Sequence, residues 1–275
     1  MTMAGGDLAV YALCGALTGM VGALLGLGGG MFLVPLLALG FHLPPRTAVA
    51  ASLVAVIASS ATATTVNMRR GLVNTSLAFT LLLSTSTGGF VGGFFAPYIS
   101  TRTLYSIFAA TLFVIAIVVT SRSRSRNVLQ DANLEVGWLG GRVVEEGRTL
   151  SYVMKRLPFA MVVSFLAGAI SGLLGVGGGV IQVPVLNSFC GIPIRVAAAT
   201  SAFMIGPTAA VSAFLYVGRG DMDPFITAAI ALGSLPGSAA GAWLSKEIPV
   251  RSIKGILATA LILVALRLSA AALGM

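Results

Sequence analysis

Uninterrupted apolar runs about 20 residues long recur from one end of this chain to the other. That length is what a helix needs to cross a bilayer. The runs do not alternate polar with apolar, so they read as helices and not as barrel strands. Only 9% of the 275 residues are charged and 57% are hydrophobic. A soluble domain carries roughly 25% charged residues, and a water-facing surface cannot be built from so few. The chain reads as an all-α polytopic membrane protein. The net charge of +9 falls in short loops between the runs, where the positive-inside bias accounts for it and a nucleic-acid role is disfavoured. The N-terminal stretch has no basic n-region or clear cleavage site, so it is read as a retained first span.

Two glycine strings organise the rest. "LLGLGGGMFLVP" covers Leu24 to Pro35, and "LLGVGGGVIQVP" covers Leu173 to Pro184. Gly175 lies 149 residues after Gly26, and that offset holds without a gap. Pro35 meets Pro184, Arg46 meets Arg195, Ser52 meets Ser201, and Arg70-Gly71 meets Arg219-Gly220. The chain is a tandem duplication, a common plan for secondary transporters. The expected domains are a first repeat over 7–121, a linker over 122–156 and a second repeat over 157–272.

Each repeat holds five apolar segments: about 7–27, 30–42, 47–67, 73–97 and 103–121, then 157–176, 179–191, 196–217, 224–245 and 251–272. The second segment of each is about a dozen residues. It rises about 18 Å and cannot cross roughly 30 Å of hydrocarbon unaided. An odd number of segments predicts repeats of inverted topology, about ten segments in all. The basic "SRSRSR" and "MKRLP" place the linker in the cytoplasm. The other cytoplasmic loops are then those with Arg69-Arg70, with Arg195, and with Lys246, Arg251 and Lys254. The alternative makes each short segment a re-entrant hairpin and the repeats parallel. The linker holds half of the acidic residues and starts with a basic stretch, Arg122, Arg124 and Arg126, suited to the membrane surface.

A nucleotide loop is rejected for the glycines, because Met31 and Val180 stand where its last glycine belongs. Within a membrane, three glycines break a helix and free backbone groups that lipid cannot satisfy. Such backbone survives buried in protein or lining a polar cavity, and the new helix N-termini suit an anion. Gly28, Gly29, Gly30 and Gly177, Gly178, Gly179 are therefore candidate substrate-binding positions; close helix packing is the alternative. Gly88, Gly89, Gly92, Gly93, Gly233, Gly237 and Gly241 read as packing seams.

Further candidates are Arg46 and Arg195, whose guanidiniums can grip an anion in two prongs or snorkel to headgroups. Ser52 and Ser201 can bind ligand or a neighbouring helix. Gln182 and Asn187 are polar where the first repeat has Leu33 and Ala38, and Thr200 is a weaker candidate. No Asp or Glu lies at the centre of a span, so carboxylate proton relays are missing. His42 is the single histidine and reads as structural; Cys14 and Cys190 read as unpaired thiols. No catalytic constellation or metal site is expected, so the chain reads as a non-enzyme without cofactor. A coupling ion, proton or sodium, is left open.

The string GxGGGxxxVPxL followed by P.R.A.A.S, once per repeat, resembles the sulfite exporter TauE/SafE family of membrane permeases. The resemblance covers both repeats. It implies transport of a small sulfur-containing anion, such as sulfite, sulfoacetate or another organosulfonate, with the motif on Gly28–Gly30 and Pro35 and on Gly177–Gly179 and Pro184. Some members are linked to other solutes or to membrane-protein assembly. The expectation is a permease of the cell membrane working by alternating access; a non-transporting assembly or interaction factor with the same fold is the alternative. Expected partners are a small anionic substrate and the lipid bilayer, with pairing into a homodimer compatible.

Overall fold

The computed structural model describes residues 5–25, 28–121, 137–145, 148–244 and 265–267. Gly26, the arginines at 122, 124 and 126, Lys246, Arg251, Lys254 and nearly all of the 251–272 segment lie outside the described residues.

Helix α1 spans Gly5–Leu25. After the first glycine break, α2 covers Gly30–Pro35 and runs on as a π-helical stretch, Leu36–Gly40. Pro35 has no N–H to return to Met31, so the ladder must loosen there. Next come α3 (Pro45–Arg69), α4 (Thr75–Phe95) and α5 (Thr101–Ser121). The linker contains strands β1 (Gly141–Glu145) and β2 (Arg148–Tyr152), paired antiparallel with Gly141 opposite Tyr152. This hairpin is the one departure from an all-helical expectation among the described residues. The second repeat supplies α6 (Leu157–Leu174), α7 (Gly179–Ser188), α8 (Ile194–Gly218) and α9 (Pro224–Leu244). Five of these helices, α3, α4, α6, α8 and α9, are long and apolar enough to cross a bilayer.

The sequence offset reappears in backbone detail. α3 and α8 start and stop at positions 149 residues apart, as do α4 and α9. Leu43 N–H donates to Leu37 O, and Ile192 N–H to Leu186 O, at the same offset. The helix starts match as well: Asn74 Oδ1 accepts from Leu77 N–H at 3.0 Å, and Asp223 Oδ1 from Ile226 N–H at 3.0 Å. Asn and Asp are favoured at this position because their side chains satisfy a donor of the first turn.

The two repeats exchange helices. α1 packs along α9, and α4 along α6. Both seams are made by glycine. A methyl at Gly233, Gly237 or Gly241 would fall on the carbonyl of Ala12, Ala16 or Met20. A methyl at Gly88 or Gly92 would fall on Phe165 O or Ala169 O. The register advances in the same direction on both partners, so each pair runs parallel, backbone against backbone, which small residues permit in membranes.

α3 and α8 cross between the seams and run antiparallel. Arg70, just past α3, stands beside Arg195 at the start of α8; burial, and then the Arg195 charge, hold the Arg70 guanidinium below its ordinary value. Asn74 N–H donates to Thr200 Oγ1 at 3.1 Å at this same end. The linker hairpin covers it too. Asn74 Nδ2 donates to Leu139 O, Gly140 O and Tyr152 Oη at 3.0–3.2 Å, and Lys155 N–H to Cys190 O at 3.0 Å. Burial raises the Tyr152 hydroxyl above its ordinary pKa, with the Asn74 bond opposing.

The matched caps make a controlled comparison. Asp223→Ala removes a cap alone and is expected to cost about 1 kcal/mol. Asn74→Ala also leaves the half-buried carbonyls of Leu139 and Gly140 without a donor, at about 1 kcal/mol more. The Tm in detergent should fall further for Asn74→Ala; equal shifts would mean that the hairpin contributes nothing to stability.

Candidate functional site

Both glycine breaks use backbone conformations that side chains resist. Gly28 and Gly29 have φ of 85° and 65°, and Gly175 and Gly177 have φ of 70° and 77°. An L-residue in this region costs roughly 1–2 kcal/mol. Gly30 N–H donates to Gly28 O at 2.7 Å, closing a three-residue turn about Gly29; Gly179 N–H closes the equivalent turn onto Gly177 O. Space is a second requirement. A methyl at Gly29 would stand 2.7 Å from Thr18 O, and one at Gly30 would stand 2.8 Å from Ser52 Oγ and fall on Gly175 O.

The two breaks meet at the α3–α8 crossing. Methyls built on Gly28 would lie 3.3 Å from Ile205 Cγ2 and 3.5 Å from Val56 Cγ1. On Gly177 they would lie 3.1 Å from Ile205 Cγ2 and 3.0 Å from Val56 Cγ1. Val56 and Ile205 are themselves 149 residues apart. Each break therefore touches the central helix of its own repeat and that of the other.

Buried hydroxyls surround this crossing. Ser52 Oγ donates to Gly175 O at 2.8 Å and lies 3.5 Å from Gly30 O, so one hydroxyl links both breaks. Ser201 Oγ donates to Gln182 Oε1 at 3.0 Å, and both residues are buried. Ser171 Oγ, on the last turn of α6, is buried with no hydrogen-bond partner. A narrow cavity of about 10 Å³ is lined by Gly22, Gly28, Ser59, Ser60, Ala202 and Ile205, among others. It has room for about one water.

The structure thus gathers Gly28–Gly30, Ser52, Gly177–Gly179, Gln182 and Ser201. It does not gather the remaining candidates. Thr200 accepts from Asn74 at the linker end. Asn187 Nδ2 donates to Ile192 O at 2.8 Å and shapes the α7–α8 loop. Arg46 is exposed and donates to Pro97 O at 2.8 Å. Arg195 is exposed at the start of α8. Because α3 and α8 are antiparallel, these two matched arginines sit at opposite ends of the molecule. Part of each helix N-terminus is bonded locally. Phe32 and Leu33 N–H turn back to Gly29 O, and Ile181 and Gln182 N–H to Gly178 O.

The paired Val56 and Ile205, and Ser171, were not singled out from sequence. The 149-residue register held the signal for the first two. Ser171 is matched by Gly22, an asymmetry of the same kind as Gln182 against Leu33. The site is uncharged, and its polar groups are hydroxyls, one side-chain amide and backbone groups. Among the described residues no three His, Cys, Asp or Glu side chains group as metal ligands.

A family model described as sulfite exporter TauE/SafE matches residues 11–268. The chain is similar to the probable membrane transporter protein YunE of Bacillus subtilis, at 23% identity over 94% of this chain and 96% of the relative. It is also similar to YdhB, another probable membrane transporter protein of that organism, at 25% identity over 87% of this chain and 89% of the relative. A shorter stretch, 26% of this chain and 17% of the relative, is 45% identical to sulfite exporter TauE/SafE family protein 6 of Arabidopsis thaliana. No solved structure matches.

Ser52→Ala leaves the buried Gly175 carbonyl without its donor and should cost about 1–3 kcal/mol. Ser201→Ala should cost less, because its acceptor is a side-chain oxygen that can rotate, whereas the Gly175 carbonyl is fixed in the backbone. Thermal unfolding of the two variants in one detergent checks the order; a larger loss in Ser201→Ala would reverse the assignment.

Proposed function

The chain belongs to the sulfite exporter TauE/SafE family of membrane proteins, and on that premise we propose that it is a secondary transporter for a small sulfur-containing anion. It would move sulfite or an organosulfonate across the cytoplasmic membrane by alternating access between inverted repeats. The observation that carries this reading is the meeting of both glycine breaks at the α3–α8 crossing, where Ser52 of one repeat holds Gly175 O of the other.

The antiparallel course of α3 and α8 supports inversion, since parallel repeats would run these equivalent helices the same way. The linker supports it as well. It bonds to Asn74, before α4, and to Cys190, before α8. An inverted arrangement brings both of those loops to the linker's side.

A sulfite or sulfonate offers three acceptor oxygens and negative charge. Ser52, Ser201, the Gln182 amide and the unpartnered Ser171 hydroxyl can meet those oxygens. Opening either three-residue glycine turn would add its N–H, at the positive end of a short helix. The narrow cavity beside these groups, lined by Gly28, Ser59, Ser60 and Ile205 among others, has no room for such an anion, as suits a closed state between the two openings. Remote interactions that differ between the two openings, not the site itself, then set which face opens. The substrate can carry its own proton as hydrogensulfite, or a sodium ion can be held by carbonyl and hydroxyl oxygens.

Two experiments test this. Purified protein screened by thermal shift against sulfite, sulfoacetate, taurine and thiosulfate should be stabilised by at least one, and proteoliposomes should move that anion. Gly29→Leu and Gly178→Leu should abolish movement; transport that survives both substitutions would remove the site. For topology, reporters fused at the N-terminus and after residue 275 should both report the outer face, and one inserted in 127–136 the cytoplasm. A C-terminal reporter on the same face as the linker would overturn inversion.

A further inference from the structure

Two arginines that the proposed site leaves out occupy matched positions. Arg70 follows α3, and Arg219 follows α8. Arg70 Nη2 donates to Ala242 O of α9 at 3.1 Å. Arg219 Nη1 donates to Gly93 O of α4 at 2.8 Å, and its Nη2 to Phe94 O at 3.3 Å. Gly93 and Ala242 are 149 residues apart, as the arginines are. Each arginine therefore reaches from the central helix of one repeat to the last turn of the fourth helix of the other. A cation on C-terminal carbonyls is favourable, because those carbonyls lack helix partners and carry the negative end of the dipole. Since α3 and α8 are antiparallel, the two ties lie at opposite ends of the protein.

We propose that Arg70 and Arg219 are reciprocal gate residues, each closing one mouth of the transport path by tying a helix of the central α3–α8 pair to a seam helix at that face. This inference rests on the alternating-access reading above. Rocking of the α3–α8 pair between the two seams separates helix ends at one face while holding them at the opposite face, so one tie opens as the other persists. Both ties are made in this structure, in agreement with the narrow central cavity. A guanidinium binds an anion more strongly than a neutral carbonyl. An anion arriving at a mouth therefore competes for the arginine and releases the tie.

The two ties are not equal. The Arg219 tie has two bonds, and its guanidinium lies 5.8 Å from the Tyr216 ring centroid. Arg46 adds a bond from α3 to Pro97 O on the same helix end. The Arg70 guanidinium, bonded to Ala242 O at 3.1 Å, has the like charge of Arg195 beside it. The linker face is thus the more easily opened one.

The test is side-specific thiol labelling in oriented proteoliposomes. Cys14 and Cys190 are replaced by alanine, and Ser59→Cys places one thiol in the central cavity. A membrane-impermeant maleimide is applied from each face. Wild-type arginines should give faster labelling from the linker face. Arg70→Gln should raise that rate roughly fivefold or more and lower the rate from the other face; Arg219→Gln should do the reverse. Arg70→Lys should resemble the parent, whereas Arg219→Lys should resemble Arg219→Gln in direction, because lysine cannot make the two-pronged bond. A residue with a merely structural role would change both faces alike. Rates that move together in both variants, or stay at the parent value, overturn the gates while leaving access intact. A thiol labelled from neither face in any variant, with or without sulfite, overturns alternating access and the gates with it. If Arg219→Gln does not fold, Arg219→Lys carries the same comparison.

Discussion

Backbone polar groups buried away from water must find partners within the protein, and this requirement governs the whole architecture. A long helix meets it unaided. A broken helix does not, and this chain breaks one in each repeat. Each break is closed locally by a three-residue glycine turn and by hydroxyls from the neighbouring helix. Ser52 on Gly175 O is the clearest instance, because it ties a break to the opposite repeat. The central crossing is therefore stable only when both repeats are present and registered.

Glycine serves this fold in two separate ways. In the breaks it supplies left-handed backbone, as at Gly28 and Gly177. In the α1–α9 and α4–α6 seams the glycines lie inside regular helices and supply only closeness, with Gly92 under Ala169 O and Gly241 under Met20 O. The seams hold helices of different repeats side by side as fixed pairs. The crossing between them is held by apolar packing of side chains such as Val56 and Ile205, by hydroxyl bonds at the breaks and by arginines at its two ends.

The arginines show how a residue's meaning depends on its neighbours. Arg46 and Arg195 look like a converging pair when the repeats are laid over one another in sequence. The antiparallel course of α3 and α8 sends them to opposite ends, each six residues before the serine of its own helix. Arg70 and Arg219 drew attention only as loop charges, yet they join the repeats. Nothing in a single sequence tells which carbonyl a guanidinium will reach across 172 residues of chain.

Membrane residence, the duplication, the two helix breaks and their place in each repeat were determined by the sequence itself. Those features rest on local physics: apolar length, the backbone freedom of glycine and the missing N–H of proline. The helix bounds of α3 and α8 follow the same register. The tertiary structure alone decided which repeat satisfies which break. It also decided that the linker folds as a hairpin over Asn74, and that matched arginines part to opposite faces. All of these depend on contacts between residues far apart in the chain, and a periodicity or a motif carries no information about the partner.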